Sequence, residues 1–309
     1  FFLDLIFNPN VKNNAFLNID KQKSKLKQDI ISIKDNKVKY SVLKLMEKMK
    51  EKEYSYNTFG YLEDLEDITG EELYTYYEKV LKEDQIDVFI LGDIDESQIK
   101  EIFKEYFKVT TFKKNNKDLL IKELLPRKRI VRYHEYDKVN QAQLIILCSL
   151  NNLTEFERRY TIKLYNEIIG GSANSILFEN VREKHSYCYY VNSSVKAYDN
   201  ILLINSGVEQ ENIDKTIKLV RKTLKSITEG KLKEENIISA KNTIISGIKS
   251  ASDEPMGIIN TYFSKVLVGT PNEEERIANF NKITKEDIVK VSKKVTLHTI
   301  LTLESKEDE

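Results

Sequence analysis

Apolar positions recur at helical spacing through residues 20–52, where Ile30, Ile33, Tyr40, Leu43 and Met46 stand among lysines. That period predicts helix with those side chains turned inward. The stretch ITGEELYTYYEKVL opens at Thr69, and Glu72 follows three residues later. The pair is a capping box: hydroxyl and carboxylate each satisfy a backbone N–H that the first helical turn leaves orphaned. IDVFILGD (86–93) predicts a buried strand ending at a glycine, and ESQIKEIFKEYF (96–107) an amphipathic helix. Periodicity is then lost over 109–128, VTTFKKNNKDLLIKELLPRK, where a Lys/Asn run and Pro126 predict an interdomain linker. Strand patterns resume at RIVRYHEYD and QAQLIILCSL. A helix over 154–169 opens with a second capping box, Thr154 to Glu157, and ends at Gly170 and Gly171. The two glycines predict a positive-φ ending and close approach of another helix. Strands at about 187–195 and 200–208 follow, then three or four helices, and HTILTLES is the last strand.

The pattern repeats. GYLEDLEDITGEELYTYYEKVLKEDQIDVFIL (60–91) is similar to GTPNEEERIANFNKITKEDIVKVSKKVTLHTILTL (269–303) in its glycine, acidic helix, Ile-Thr cap, Lys-Val helix and terminal strand. VFILGDIDESQIKEIF and LLINSGVEQENIDKTI share a strand, glycine, acid and helix plan. Repetition on this scale predicts an α+β protein of two similar units, each a mixed, mostly antiparallel sheet covered by helices. The expected boundaries are 1–108 for the first unit, 109–128 for the linker and 129–309 for the second. Matching Ile68 to Ile283 sets an offset of 215 residues. By that register the first unit is expected to lack its opening ~85 residues, a segment equivalent to 141–183 among them. A first residue of Phe rather than Met agrees with a chain cut from something longer.

Composition narrows the partners. With 49 basic and 49 acidic residues the formal net charge is +0, which gives no electrostatic reason to expect nucleic acid or an anionic membrane surface. No apolar run approaches the roughly 20 residues of a membrane helix. The opening FFLDLIFNPN carries Asp4 and no basic segment, unlike a secretory signal. Cys148 and Cys188 both sit in apolar strand patterns and read as free buried thiols of a reducing cytoplasm. No phosphate-cradling GxxxxGK[ST] loop or dinucleotide fingerprint is present.

GGSANSILFENVREKHSYCYYV, from Gly170, resembles the GG-x-x-x-S-x-LF-x-x-(V/L)REK-x-x-x-x-Y pattern opening the C-terminal domain of the pitrilysin/insulinase metallopeptidase family, processing peptidases included. NQAQLIIL resembles the strand before it, and the likeness runs through nearly the whole chain. KSKLKQDI, DNKVKYSV and the 56–93 segment are most similar to a subgroup of bacterial non-catalytic paralogues associated with modification of elongation factor P. The resemblance implies the LuxS/processing-peptidase-like metallohydrolase fold.

It also implies a chemistry that this chain carries only in part. Active members resemble one another in His-x-x-Glu-His on a helix, where two histidines a turn apart bind zinc and the glutamate activates water. His134, His185 and His298 have no partner at that spacing, so the motif is expected upstream of Phe1 or not at all. QKSKLKQDI aligns with the family's downstream Glu-Lys-x-x-Ile-x-x-Glu-Ile helix, placing Gln22 at its first acid and Asp29 at its zinc-binding glutamate. Asp is one methylene shorter, so the metal position reads as degenerate and no cofactor is expected in this chain.

By the same resemblance Arg182 and Tyr189 occupy the positions whose guanidinium and phenol hold backbone carbonyls of an extended substrate peptide. Packing alone is the competing account of the pair, with Arg182 paired to Glu179 or Glu183 and Tyr189 in the sheet. His185 reads as a solvated loop residue. Three functions stay open. The first is a non-catalytic, cytoplasmic, peptide- or protein-binding subunit, in a heterodimer with an active paralogue or in a homodimer. The second is a fragment of a zinc endopeptidase whose motif lies upstream, and the third a structural scaffold.

Overall fold

The computed structural model describes residues 2–49, 52–107 and 124–306. The chain enters through α1 (Phe2–Phe7), a hairpin of β1 (Val11–Lys12) and β2 (Ala15–Phe16), α2 (Ile19–Ser32) and α3 (Lys37–Glu47). Short α4 (Lys52–Ser55) and α5 (Asp64–Asp67) precede α6 (Gly70–Glu83) and α7 (Glu96–Tyr106). The Thr69 box forms as expected: the hydroxyl accepts from the Glu72 N–H at 3.1 Å, and the Glu72 carboxylate accepts from the Thr69 N–H at 3.1 Å.

A five-stranded sheet organises the rest. β3 (Val131–Tyr136), β4 (Ala142–Leu150), β5 (Cys188–Lys196), β6 (Ile201–Val208) and β7 (Val295–Glu304) lie in the order β3-β7-β4-β6-β5. Only β3–β7 is parallel, so the sheet is mixed and mostly antiparallel, as expected. All nine residues of central β4 are buried. An uninterrupted apolar run is what a strand covered on both faces requires.

One face carries Leu144, Ile146, Cys148, Leu202 and Ile204 against a helical layer. That layer begins with a helix over 155–171 whose middle is α8 (Ile162–Asn166), flanked by wider π-type turns at Glu157–Thr161 and Glu167–Gly171. A second π-type helix, Phe178–Lys184, precedes β5. Then come α9 (Ile213–Thr228), α10 (Glu234–Asp253), α11 (Pro255–Val268), α12 (Glu273–Lys282) and α13 (Lys285–Ser292), five α-helices where three or four were expected. The opposite face of the sheet receives α3 and the chain that follows it: Leu45 of α3, Met49, and Tyr54 of α4 pack with Ile145, Leu147, Ile201, Leu203 and Leu301. Charged pairs ring this contact, Lys37 with Asp137 at 3.0 Å and Lys48 with Glu135 at 2.8 Å. The Lys37 ammonium holds the Asp137 carboxyl below its usual range.

Several expectations change. Leu45, not Leu43, is the fully buried apolar residue of α3, because the face follows Ser41, Leu45 and Met49. Residues 86–91 form no strand. Ile86, Val88, Ile90 and Leu91 stay more than a third exposed, and among the described residues no strand lies alongside to take their N–H and C=O groups. Phe89 instead sets its ring edge-on to Phe263 of α11. The repeat therefore survives in its helices and caps, since Thr284 and Asp287 reproduce the Thr69 box, but its terminal strand forms only as β7. Gly170 and Gly171 lack positive φ. A Cβ on Gly170 would lie 2.9 Å from the Ser193 backbone nitrogen, so the close approach is to β5 rather than to a helix. The expected linker lies mostly outside the described residues; its described end holds Leu124 buried under the sheet and Leu125 exposed.

Candidate functional site

Sheet order leaves β5 at an edge, with β6 on one side and, among the described residues, no strand on the other. A free edge is a row of unpaired peptide groups that an extended segment can join. At the start of β5, Cys188 pairs with Val208 and Tyr190 with Gly207, which leaves Tyr189 between them as a bulge. A bulged residue is turned out of the strand's alternation, and Tyr189 is 64% exposed. Its neighbour goes inward. Gly207 has no side chain where the Tyr190 ring passes, and burial pushes the Tyr190 phenol up to about 12. The Tyr189 phenol is also raised, by hydrogen bonding to the Glu209 carboxylate.

Arg182 lies on the Phe178–Lys184 helix, immediately before the turn into β5. It is exposed, and its guanidinium sits 4.7 Å from the centre of the Phe178 ring. Neither acid named by the packing account neutralises it, because Glu179 is held by Lys184 at 2.7 Å and Arg182 has no ion pair among the described residues. Burial raises the Cys188 thiol, while Ser206 and the positive charge of Arg182 oppose the rise. Both candidate peptide-holding residues are thus exposed at one end of a free strand edge. His185 is exposed, with Nδ1 2.7 Å from the Asn180 carbonyl oxygen and its ring against Tyr187. Cys148 is buried and pushed up to about 12, too high to be a nucleophile.

Gln22 and Asp29 both face solvent on α2. His134 instead lies 2.9 Å from Glu304, and His298 is buried in β7. Among the described residues no three His, Cys, Asp or Glu side chains gather closely enough to hold a metal ion. These residues do not fit a zinc centre.

Beyond these positions, a cavity of about 480 Å³ opens where the 155–171 helix, β5, α10, α11 and α12 meet. Arg159, Lys163 and Arg276 all line it. Sequence reading passed over the first two, although cations four residues apart share one helix face and their neighbours Arg158, Ile162 and Leu164 are buried. Arg276 comes from another helix, and only folding brings it near.

The family model of the peptidase M16 inactive domain matches residues 67–244, more than half of the chain. The chain is 28% identical to a Bacillus subtilis protein named probable inactive metalloprotease YmfF, over 98% of this chain and 72% of that one. It is 25% identical to an uncharacterized zinc protease of Rickettsia felis, over 76% of this chain and 57% of that one. Among solved structures, a conserved protein from Enterococcus faecalis superposes with TM-score 0.89 at 26% identity, covering 100% of this chain and 74% of that one.

Proposed function

The chain belongs to the peptidase M16 inactive-domain family, as an inactive metalloprotease-like protein, and from that premise we propose that it is a non-catalytic peptide-binding subunit. It would hold an extended peptide for a zinc peptidase with which it pairs. The observation that carries this reading is the corner at β5. The strand edge offers backbone partners, Arg182 stands at its start with exposed donors that no acid claims, and the Tyr189 phenol beside it can give its one O–H to a peptide carbonyl by exchanging Glu209 for it. The arrangement supplies grip and register, which suits a holding role. Pairing with an active paralogue follows as the economical partner choice, since a holder needs a cutter. The resemblance to paralogues associated with elongation factor P modification makes that factor the first client to test.

The test is binding of a fluorescent ten-residue peptide of high strand propensity, read by anisotropy. Arg182→Ala removes charged donors and is expected to weaken binding by on the order of tenfold, with Tyr189→Phe weakening it less. Circular dichroism should not change, because both side chains are exposed. Binding equal to the parent in both variants would refute the peptide-holding role and leave a scaffold.

A further inference from the structure

Resting on the peptide-holding reading, we propose that the cavity beside β5 receives a carboxylate of the peptide lying along that strand. The geometry starts from the strand. Ser193 and Ser194 point to opposite faces, yet both line the cavity, so the cavity meets the edge of β5 rather than one face. Tyr189 and Ser194 are five residues apart, about 16 Å along an extended strand. A peptide whose carbonyls are held at Arg182 and Tyr189 therefore reaches the cavity about five residues away.

The lining then selects the group that enters. Lys163 and Arg276 have no ion pair among the described residues. Arg159 is already committed: it is paired with Glu155 and donates to the carbonyl oxygens of Val268 and Gly269, the latter at 3.0 Å. It adds field, while the other two are left to make contact. Lys163 is exposed and lines the cavity. Partial desolvation there, with Arg276 and Arg159 nearby, lowers its pKa. An incoming anion relieves this repulsion.

Two acceptors narrow the choice further. Asn166 Oδ1 and Glu167 Oε1 are buried at the same cavity without a donor. A peptide end carries backbone N–H groups beside its carboxylate and can serve both, whereas a free phosphate ion offers these acceptors little. The Glu167 charge opposes any anion, a polyanion more than a single carboxylate, and the Lys163 and Arg276 charges offset it for the latter. Cations for a carboxylate and acceptors for amides together describe the acidic portion of a peptide.

The carboxylate could be the C-terminus or an acidic side chain, and one peptide series separates them. Anisotropy is measured for a ten-residue peptide with a free C-terminus and a penultimate Asp, for its C-terminal amide, and for its Asp→Asn form. The expected result is a loss on the order of tenfold for one of these two neutral forms. Lys163→Met and Arg276→Gln should produce the same loss for the parent peptide and abolish the difference between charged and neutral forms. Arg276 and Lys163 come from different helices, so the same loss in both variants guards against a local folding defect at either one. If the parent protein binds all three peptides equally and both variants match it, the carboxylate site is overturned while the holding role stands. If no peptide binds the parent at all, both fall. If Arg182→Ala alone loses affinity, the holding role is supported and the cavity has no part in it.

Discussion

Glu157 shows how one side chain can join the chain's parts. Burial raises its carboxyl, but Lys294 and Thr154 together outweigh burial and hold it below its ordinary 4.5. Lys294 Nζ lies 2.6 Å from the carboxylate and donates to the Asn152 carbonyl at 2.8 Å, fastening the 155–171 helix to the turn before β7. Lys294→Ala strands a buried carboxylate that keeps only its Thr154 bonds, for an expected loss of about 2–3 kcal/mol at neutral pH. The sign with pH follows from the lowered pKa. Its contribution is present above 4.5 and is lost as pH falls through the folded value. Thermal melts of parent and variant should therefore differ at pH 7 and converge in acid; a constant gap across that range would remove Glu157 from the account. The capping half of this cluster was legible, since Thr154 and Glu157 are three residues apart. Lys294 was not, because 137 residues separate it from Glu157.

At the scale of elements, the contact of the 155–171 helix with β5 decides the site's shape. Gly170 lets the helix end lie against the strand, with an added Cβ falling 2.6 Å from Ser193 Oγ and 2.9 Å from the backbone nitrogen. Gly170→Ala must push helix and strand apart and is expected to destabilise the protein by about 1–3 kcal/mol. It should also weaken peptide binding, because the edge moves; a chemical denaturation midpoint equal to the parent would show that the contact yields freely. The paired glycines were visible in the sequence, but the partner they admit was not, and the positive-φ explanation gave way to a steric one. The 86–91 segment teaches the converse. An apolar run states that a strand could form, while hydrogen-bonded neighbours decide whether it does.

For the whole molecule, the sheet depends on α3 as much as on its own helical layer. Leu45 is fully buried against β4, β6 and β7. Leu45→Ala is expected to cost about 2–5 kcal/mol. If the two segments form one cooperative unit, the loss should appear as a single shifted transition. A biphasic melt, with the sheet transition unmoved, would show that α3 is an accessory. This contact also bears on the expected division at 109–128, because residues on its two sides share one apolar cluster.

Local chemistry was within reach of the sequence alone. Hydrophobic period and capping pairs act over three or four residues, so they specified the principal helices, the five strands of the sheet and both copies of the Ile-Thr cap. The Arg182 and Tyr189 positions came through resemblance of a contiguous motif. Only the tertiary structure placed Tyr189 on a bulge of the strand that ends the sheet among the described residues, freed Arg182 from its neighbouring acids, and gathered Lys163 and Arg276 around one cavity. Those facts depend on strand order and on side chains distant in the chain, and no local period encodes which distant residues will meet.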